Sequence, residues 1–219
     1  GSTLFFTADD GVNGRELWKS DGTTPGTQLV SDLRPGLAGS SSEVQQAVLG
    51  TLNGTLLFSS DDGLHGLDLW ISDGLASGTQ LIKDVNAVTV GSYPSGLTSA
   101  VGGIIFSANN GVQGDEIWFS TGNAGGSLLL IDANSGAVGS DPSDFIRIND
   151  TVYFTASSGA AGRELWMTDG TPAATQIVKD INPGVLNADP RDLVNFNGAL
   201  YFSAGDDASG RELWTSNGT

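Results

Sequence analysis

Five tryptophans, Trp18, Trp70, Trp118, Trp166 and Trp214, stand 52, 48, 48 and 48 residues apart in a chain of 219. A phenylalanine precedes each by 12 residues (Phe6, Phe58, Phe106, Phe154 and Phe202). An acid precedes each by two (Glu16, Asp68, Glu116, Glu164 and Glu212), and an aliphatic residue stands directly before it (Leu17, Leu69, Ile117, Leu165 and Leu213). Glycines fall four before and four after, as Gly14 and Gly22 do in the first copy. A fixed period of this length makes each copy one supersecondary unit that buries its faces only against its neighbours.

No stretch of the chain has helical periodicity, and each copy reads as four short strands. Strand A is 49–52, 97–100, 145–148 and 193–196, followed by the tight turns Asn53-Gly54, Asn149-Asp150 and Asn197-Gly198. Asn-Gly is a strong two-residue hairpin signal because both positions accept positive φ. Strand B carries the phenylalanine (4–8 in the first copy), strand C the tryptophan (15–19), and strand D covers 27–32, 79–85, 127–132 and 175–181. Four antiparallel strands per period, with the longest loop between D and the next A, predict an all-β β-propeller of four-stranded blades. The chain is read as one propeller domain over 1–219, with units of about 1–36, 37–87, 88–135, 136–184 and 185–219. Five B and C strands but four A and D strands imply five blades with the first and last incomplete; a four-blade ring and a segment of a longer array are the alternatives. Unpaired edge strands favour self-association. In this strand order the B–C and D–A loops share one face, where function is expected.

Composition narrows the chemistry. There is no cysteine and one histidine, His65, which excludes a disulfide framework, thiolate metal sites and a cysteine nucleophile. A net charge of −16 opposes nucleic acid as a partner, and no apolar run is long enough for membrane insertion. Catalytic residues are expected to be none, and cofactors none, with Ca²⁺ as the one exception.

The stretch Arg15-Glu16-Leu17-Trp18-Lys19-Ser20-Asp21-Gly22-Thr23, matched again over Arg163 to Thr171, resembles the ELWxxDGT repeat of large secreted or surface-attached bacterial proteins. Three copies depart from it, at Leu75, Thr121 and Asn217. The resemblance implies an extracellular or cell-surface setting and no particular reaction; its strand order is similar to that of WD40 propellers.

The recurrent tryptophans and acids are read as structural, because five copies of one acid do not make one active site. A buried carboxylate accepting backbone N–H bonds from a neighbouring loop satisfies the chemistry. Asp21, Asp73 and Asp169 suit Asx turns. Asp32, Asp84, Asp132 and Asp180 end strand D as turn caps. His65 is read as a surface loop residue, and the sequons at Asn53, Asn149 and Asn217 as turn positions. Asp9, Asp10, Asp61 and Asp62, with Asp206-Asp207, are the Ca²⁺ candidates, since Ca²⁺ prefers clustered oxygens. Residues that break the repeat on the long-loop face form the candidate binding set: Tyr93, Asp115, Asp141, Asp144, Asp189, Arg191 and Asp192. Arg34 to Glu43 contains four extra residues in the first D–A loop. The ligand is a protein or a glycan. A non-catalytic binding or spacing scaffold is the leading function, a lectin-like propeller the alternative, and a glycoside hydrolase the third.

Overall fold

A computed structural model describes residues 3–41, 49–87, 90–123 and 125–218. The chain is all-β and folds as β-propeller blades. The first sheet has three strands, β1 (Leu4–Asp9), β2 (Arg15–Ser20) and β3 (Gln28–Ser31). The second has four: β4 (Leu49–Leu52), β5 (Thr55–Asp61), β6 (Leu67–Ser72) and β7 (Gln80–Lys83). The third is β8 (Ser95–Ala100), β9 (Gly103–Asn109), β10 (Asp115–Ser120) and β11 (Ser127–Ile131). The fourth is β12 (Ser143–Ile148), β13 (Thr151–Ser158), β14 (Gly162–Thr168) and β15 (Gln176–Lys179). The fifth has three, β16 (Arg191–Phe196), β17 (Ala199–Asp206) and β18 (Gly210–Ser216). Every sheet is an antiparallel meander in chain order. Two single 3₁₀ turns, Ala76–Gly78 and Pro172–Ala174, are the helical segments among the described residues, and no helix is long and apolar enough to cross a membrane.

Local chemistry accounts for the meander. Asn53 and Gly54 have φ of 52° and 80°, and Asn197 and Gly198 have 53° and 84°, the left-handed pair that a two-residue hairpin turn needs. Asp21, Asp73 and Asp169 each accept a backbone N–H two residues on, from Thr23, Leu75 and Thr171 at 2.8–2.9 Å, closing the C–D turns as Asx turns.

Two strand boundaries differ from the sequence reading. β8, β12 and β16 begin two residues early, because a bulge absorbs Gly96, Asp144 and Asp192 in left-handed conformations of 65°, 55° and 57°. β7 and β15 stop at Lys83 and Lys179; after β15 the N–H of Ile181 leaves the ladder to bond the Glu164 carboxylate.

The chain divides into two compact units, Gly1–Pro94 and Ser95–Thr219. Within each, consecutive sheets stack through one recurring contact. The aliphatic residue beside Trp18, Trp118 and Trp166 packs on the Phe/Trp face of the next sheet. In the first unit Leu17 and Val30 pack on Phe58 and Trp70. In the second, Ile117 and Leu130 pack on Phe154 and Trp166, and Leu165 and Ile181 pack on Phe202 and Trp214. Each indole N–H donates to the strand-B carbonyl ten residues back, from Trp18 to Ala8 through Trp214 to Ala204, at 3.0–3.1 Å. The tryptophan therefore buries its ring without stranding its polar atom.

Trp118 is buried, whereas Trp18 and Trp214, in the three-stranded sheets, are half-buried. Replacing Trp118 by Ala is expected to cost about 3–5 kcal/mol in chemical denaturation, and Trp214→Ala clearly less. Equal losses at both positions would contradict this packing.

Candidate functional site on the long-loop face

The recurrent strand-C acid is the anchor of this face. Glu16, Asp68, Glu116 and Glu164 are all buried. Each is bonded by the D–A loop of its own repeat, 17 and 24 residues further along. Leu33 N–H and the Ser40 hydroxyl donate to Glu16, and Ala133 N–H (3.2 Å) and the Ser140 hydroxyl to Glu116. Ile181 and Ala188 N–H groups donate to Glu164 at 3.1 Å each, joined by Asn182 N–H at 3.4 Å. The Ser92 hydroxyl donates to Asp68. Glu212 is exposed; its sheet has no fourth strand among the described residues and so no loop to clasp.

The loop is then returned to strand C by its backbone. Ser140 and Asp141 N–H groups donate to Asp115 O, and Ala188 and Asp189 N–H groups to Arg163 O. The glycine four before each tryptophan allows this approach: a Cβ on Gly114 would lie 2.5 Å from Gly139 N, and Gly14 meets Gly39 in the same way. Finally the loop bonds strand B of the following sheet, through Asp61 N–H to Ser40 O and Ser157 N–H to Ser140 O.

This geometry corrects the view that the binding set breaks the repeat. Tyr93, Asp141 and Asp189 are equivalent, each one residue past the clasp, with φ of 50°, 48° and 44°. Asp144 and Asp192 are the bulge residues opposite strand B. Aspartate tolerates the left-handed region, so four of these positions answer a backbone demand. The four extra residues of the first D–A loop fall after Ser40, because Glu16 keeps the 17- and 24-residue spacing of the other repeats. Residues 42–48 lie outside the described set.

The candidates do not gather at one point. In the first unit Tyr93 is 45% exposed. In the fifth sheet Arg191 lies 3.9 Å from Asp189, and Asp192 accepts the Ser203 hydroxyl at 3.3 Å. In the second unit a shallow cleft of about 490 Å³ brings together Asp115, Asp141, Ser143 and Arg163 with Ser95 and Ser107. Arg163, absent from the sequence-based set, donates to Asp141 O (3.0 Å), to the Ser143 hydroxyl and to the Thr155 hydroxyl (2.6 Å each). Its equivalents Arg15 and Arg211 reach their own strand B in the same way. Asp115 occupies the equivalent position in the third sheet, so an acid stands where the first, fourth and fifth sheets have a guanidinium and the second has Leu67. Burial first, then the Asp141 carboxylate, push its carboxyl above the usual range.

The proposed Ca²⁺ oxygens are engaged in turns. Asp9 accepts Gly11 N–H at 2.7 Å, and Asp10 accepts the N–H groups of Val12 and Asn13. Asp61 accepts Gly63 N–H and forms an ion pair with Arg34 at 2.8 Å. Asp62 accepts Leu64 and His65 N–H groups, and its second oxygen meets His65 Nδ1 at 2.7 Å. His65 is thus partnered, and the Asp62 bond holds its imidazolium above the usual range. Among the described residues no three His, Asp or Glu side chains gather as a metal cluster.

Burial pushes the Glu164 carboxyl up to about 7 from an ordinary 4.5, its three backbone N–H bonds offsetting part of the rise. The folded chain therefore keeps a proton that the unfolded chain loses. Stability is expected to fall as pH rises from about 4.5 to about 7, the window between the two values. Glu164→Gln should flatten that slope in melting temperature against pH; an unchanged slope would assign it elsewhere.

No protein-family model matches the chain, and no curated protein does. Among solved structures it is similar to a puromycin hydrolase at 13% identity and a TM-score of 0.49, 93% of this chain aligning with 32% of that one. A prolyl endopeptidase aligns at 13% identity and a TM-score of 0.48, over 95% of this chain and 30% of its own. The chain thus spans about a third of the length of those two proteins. An endo-arabinase from Bacteroides thetaiotaomicron aligns at 12% identity and a TM-score of 0.38, over 98% of this chain and 89% of its own. These likenesses assign no reaction to the chain.

Proposed function

We propose that the chain is a non-catalytic β-propeller module that binds a partner or spaces neighbouring domains outside a bacterial cell, as its resemblance to ELWxxDGT repeats implies. One observation carries this reading. The acid that recurs in every repeat is buried and bonded to its own loop in the four repeats that have one, so it builds the face and is not presented to a substrate. What differs between repeats on that face is the residue opening strand C and the residues flanking the clasp, as expected of a surface that distinguishes partners on a common scaffold.

The cleft at Asp115, Asp141 and Arg163 favours a second reading, a lectin. Carboxylates and a guanidinium around a polar hollow suit the hydroxyls of a sugar, and the half-exposed Tyr93 ring offers a separate stacking surface in the first unit. A glycoside hydrolase comes third, because the cleft is shallow and hydrolysis needs two carboxyls on either side of an enclosed glycosidic bond.

A glycan array probed with the whole chain, with Asp115→Asn and Tyr93→Ala alongside, separates these readings. Flat binding is expected. Saturable binding to one glycan, lost in Asp115→Asn, would install the lectin, and turnover of a chromogenic glycoside lost in the same variant would overturn the non-catalytic reading.

A further inference from the structure

The strand register sets two acids against each other at the end of each C–D ladder. Ile117 with Ile131 and Leu69 with Lys83 are the last pairs of their ladders, so the residues next beyond them are Glu116 and Asp132 in the third sheet and Asp68 and Asp84 in the second. Like charges directly opposite on a sheet are destabilising, and burial makes the repulsion harder to screen.

One oxygen of three of these acids is plainly occupied. Glu116 takes the loop bonds on Oε2, Asp132 accepts Gln113 Nε2 on Oδ2 at 3.0 Å, and Asp68 accepts the Ser92 hydroxyl on Oδ1. The opposite oxygens are not. Glu116 Oε1, Asp132 Oδ1, Asp68 Oδ2 and Asp84 Oδ1 are all buried without a hydrogen-bond partner, as is Glu16 Oε1 in the first sheet, where Asp32 is exposed and one acid alone is buried. Glu116 and Asp68 are themselves 1% and 0% exposed. Turn capping explains Asp180, whose Oδ2 accepts Gly184 N–H at 3.1 Å, but it leaves Asp84 Oδ1 and Asp132 Oδ1 unexplained.

The fourth sheet is an internal control. Glu164 and Asp180 lie next beyond the last pair of their ladder in the same way, yet both Glu164 oxygens are bonded by loop N–H groups and neither is orphaned. For the third sheet charge gives an independent argument: repeat 88–135 contains Asp115, Glu116 and Asp132 and no lysine, arginine or histidine, whereas Asp68 and Asp84 have His65 within electrostatic reach. Buried carboxylates persist when they are paired with a cation or bound to a metal.

We propose that Glu116 with Asp132, and Asp68 with Asp84, each hold a Ca²⁺ ion beneath the D–A loop. Carboxylate oxygens are hard ligands, and Ca²⁺ accepts the irregular geometry in which loop carbonyls and water complete a shell of about 6–8 oxygens, where Mg²⁺ demands a near-ideal octahedron. The ion neutralises the cross-strand repulsion and ties the end of strand D to strand C, at the root of the loop that builds the functional face. These sites are distinct from the Asp9-Asp10 and Asp61-Asp62 turns.

The test uses the whole chain, stripped with EDTA, dialysed into metal-free buffer at about 0.15 M NaCl and titrated with CaCl₂ by calorimetry and thermal melting. Saturable binding of two ions per chain is expected, with a rise in melting temperature of at least about 5 °C that survives added salt. Asp132→Asn and Asp84→Asn should each remove one ion, and each should melt higher than the parent chain when metal-free, since the neutral isostere relieves the repulsion; a merely structural role would lower it. Asp9→Asn and Asp61→Asn should leave the titration unchanged. Tb³⁺ luminescence excited through tryptophan and displaced by Ca²⁺ gives a readout on the unmutated chain, should a variant fail to fold. Absence of saturable Ca²⁺ binding would overturn the proposal. So would stabilisation on acidification without any Ca²⁺ response, which would mean that each pair shares a proton, or a Ca²⁺ response lost in Asp9→Asn or Asp61→Asn instead.

Discussion

A carboxylate held under a loop is the interaction on which the rest of this structure depends. Glu16, Asp68, Glu116 and Glu164 each take an ionisable group out of water, at a cost that only well-placed donors offset. The donors come from the D–A loop, so the cost is met only when that loop adopts one path. This constraint converts a long connection into a fixed surface. It also explains why small residues crowd it: Gly14 against Gly39, Gly66 against Gly91 and Gly114 against Gly139 approach closer than any side chain permits. Where a repeat has no such loop among the described residues, as around Glu212, acid and glycine are both released: Glu212 is exposed, and a Cβ on Gly210 would meet nothing within 4 Å.

Stacking of sheets supplies the complementary apolar term. The strand-C aliphatic residue and the Phe/Trp pair lie on opposite faces, so every blade has a donor face and an acceptor face, as a repeat that packs only on its neighbours must. Leu165, covered by the following sheet, is 1% exposed, while Leu213 at the same position in the fifth sheet is 76% exposed. Identical local sequence, Arg-Glu-Leu-Trp in both, thus ends in opposite environments. Burial here is a property of the neighbour and not of the residue.

The functional face inherits both constraints. Its backbone is set by the clasp and the bulge, and what is free to vary is the side chain placed on that frame. Arg163 and Arg211 brace loop and strand B, whereas Asp115 at the equivalent position leaves a polar hollow beside Asp141. A single exchange of sign on a common frame changes what the surface can bind without changing the fold.

Spacing alone determined the blades. The tryptophan period, the Asn-Gly turns, the Asp-Gly-Thr turns and the alternating strands are local signals of period 2 or of two-residue turns, and such signals need no knowledge of distant partners. The burial of the recurrent acid was legible for the same reason, since an acid fixed beside a core tryptophan has to be bonded. What only the tertiary structure decided depends on the path of the loop between residues 17 and 24 positions apart. That path made Tyr93, Asp141 and Asp189 one left-handed position, placed the first loop's extra residues beyond Ser40, and drew Arg163 into the cleft. It also settled, acid by acid, whether loop N–H groups reach both carboxylate oxygens, as at Glu164, or leave one without a partner, as at Glu116. Hydrogen bonds across such separations are set by three-dimensional closure, and four copies of the same Glu-or-Asp signature carry no mark of which will be satisfied.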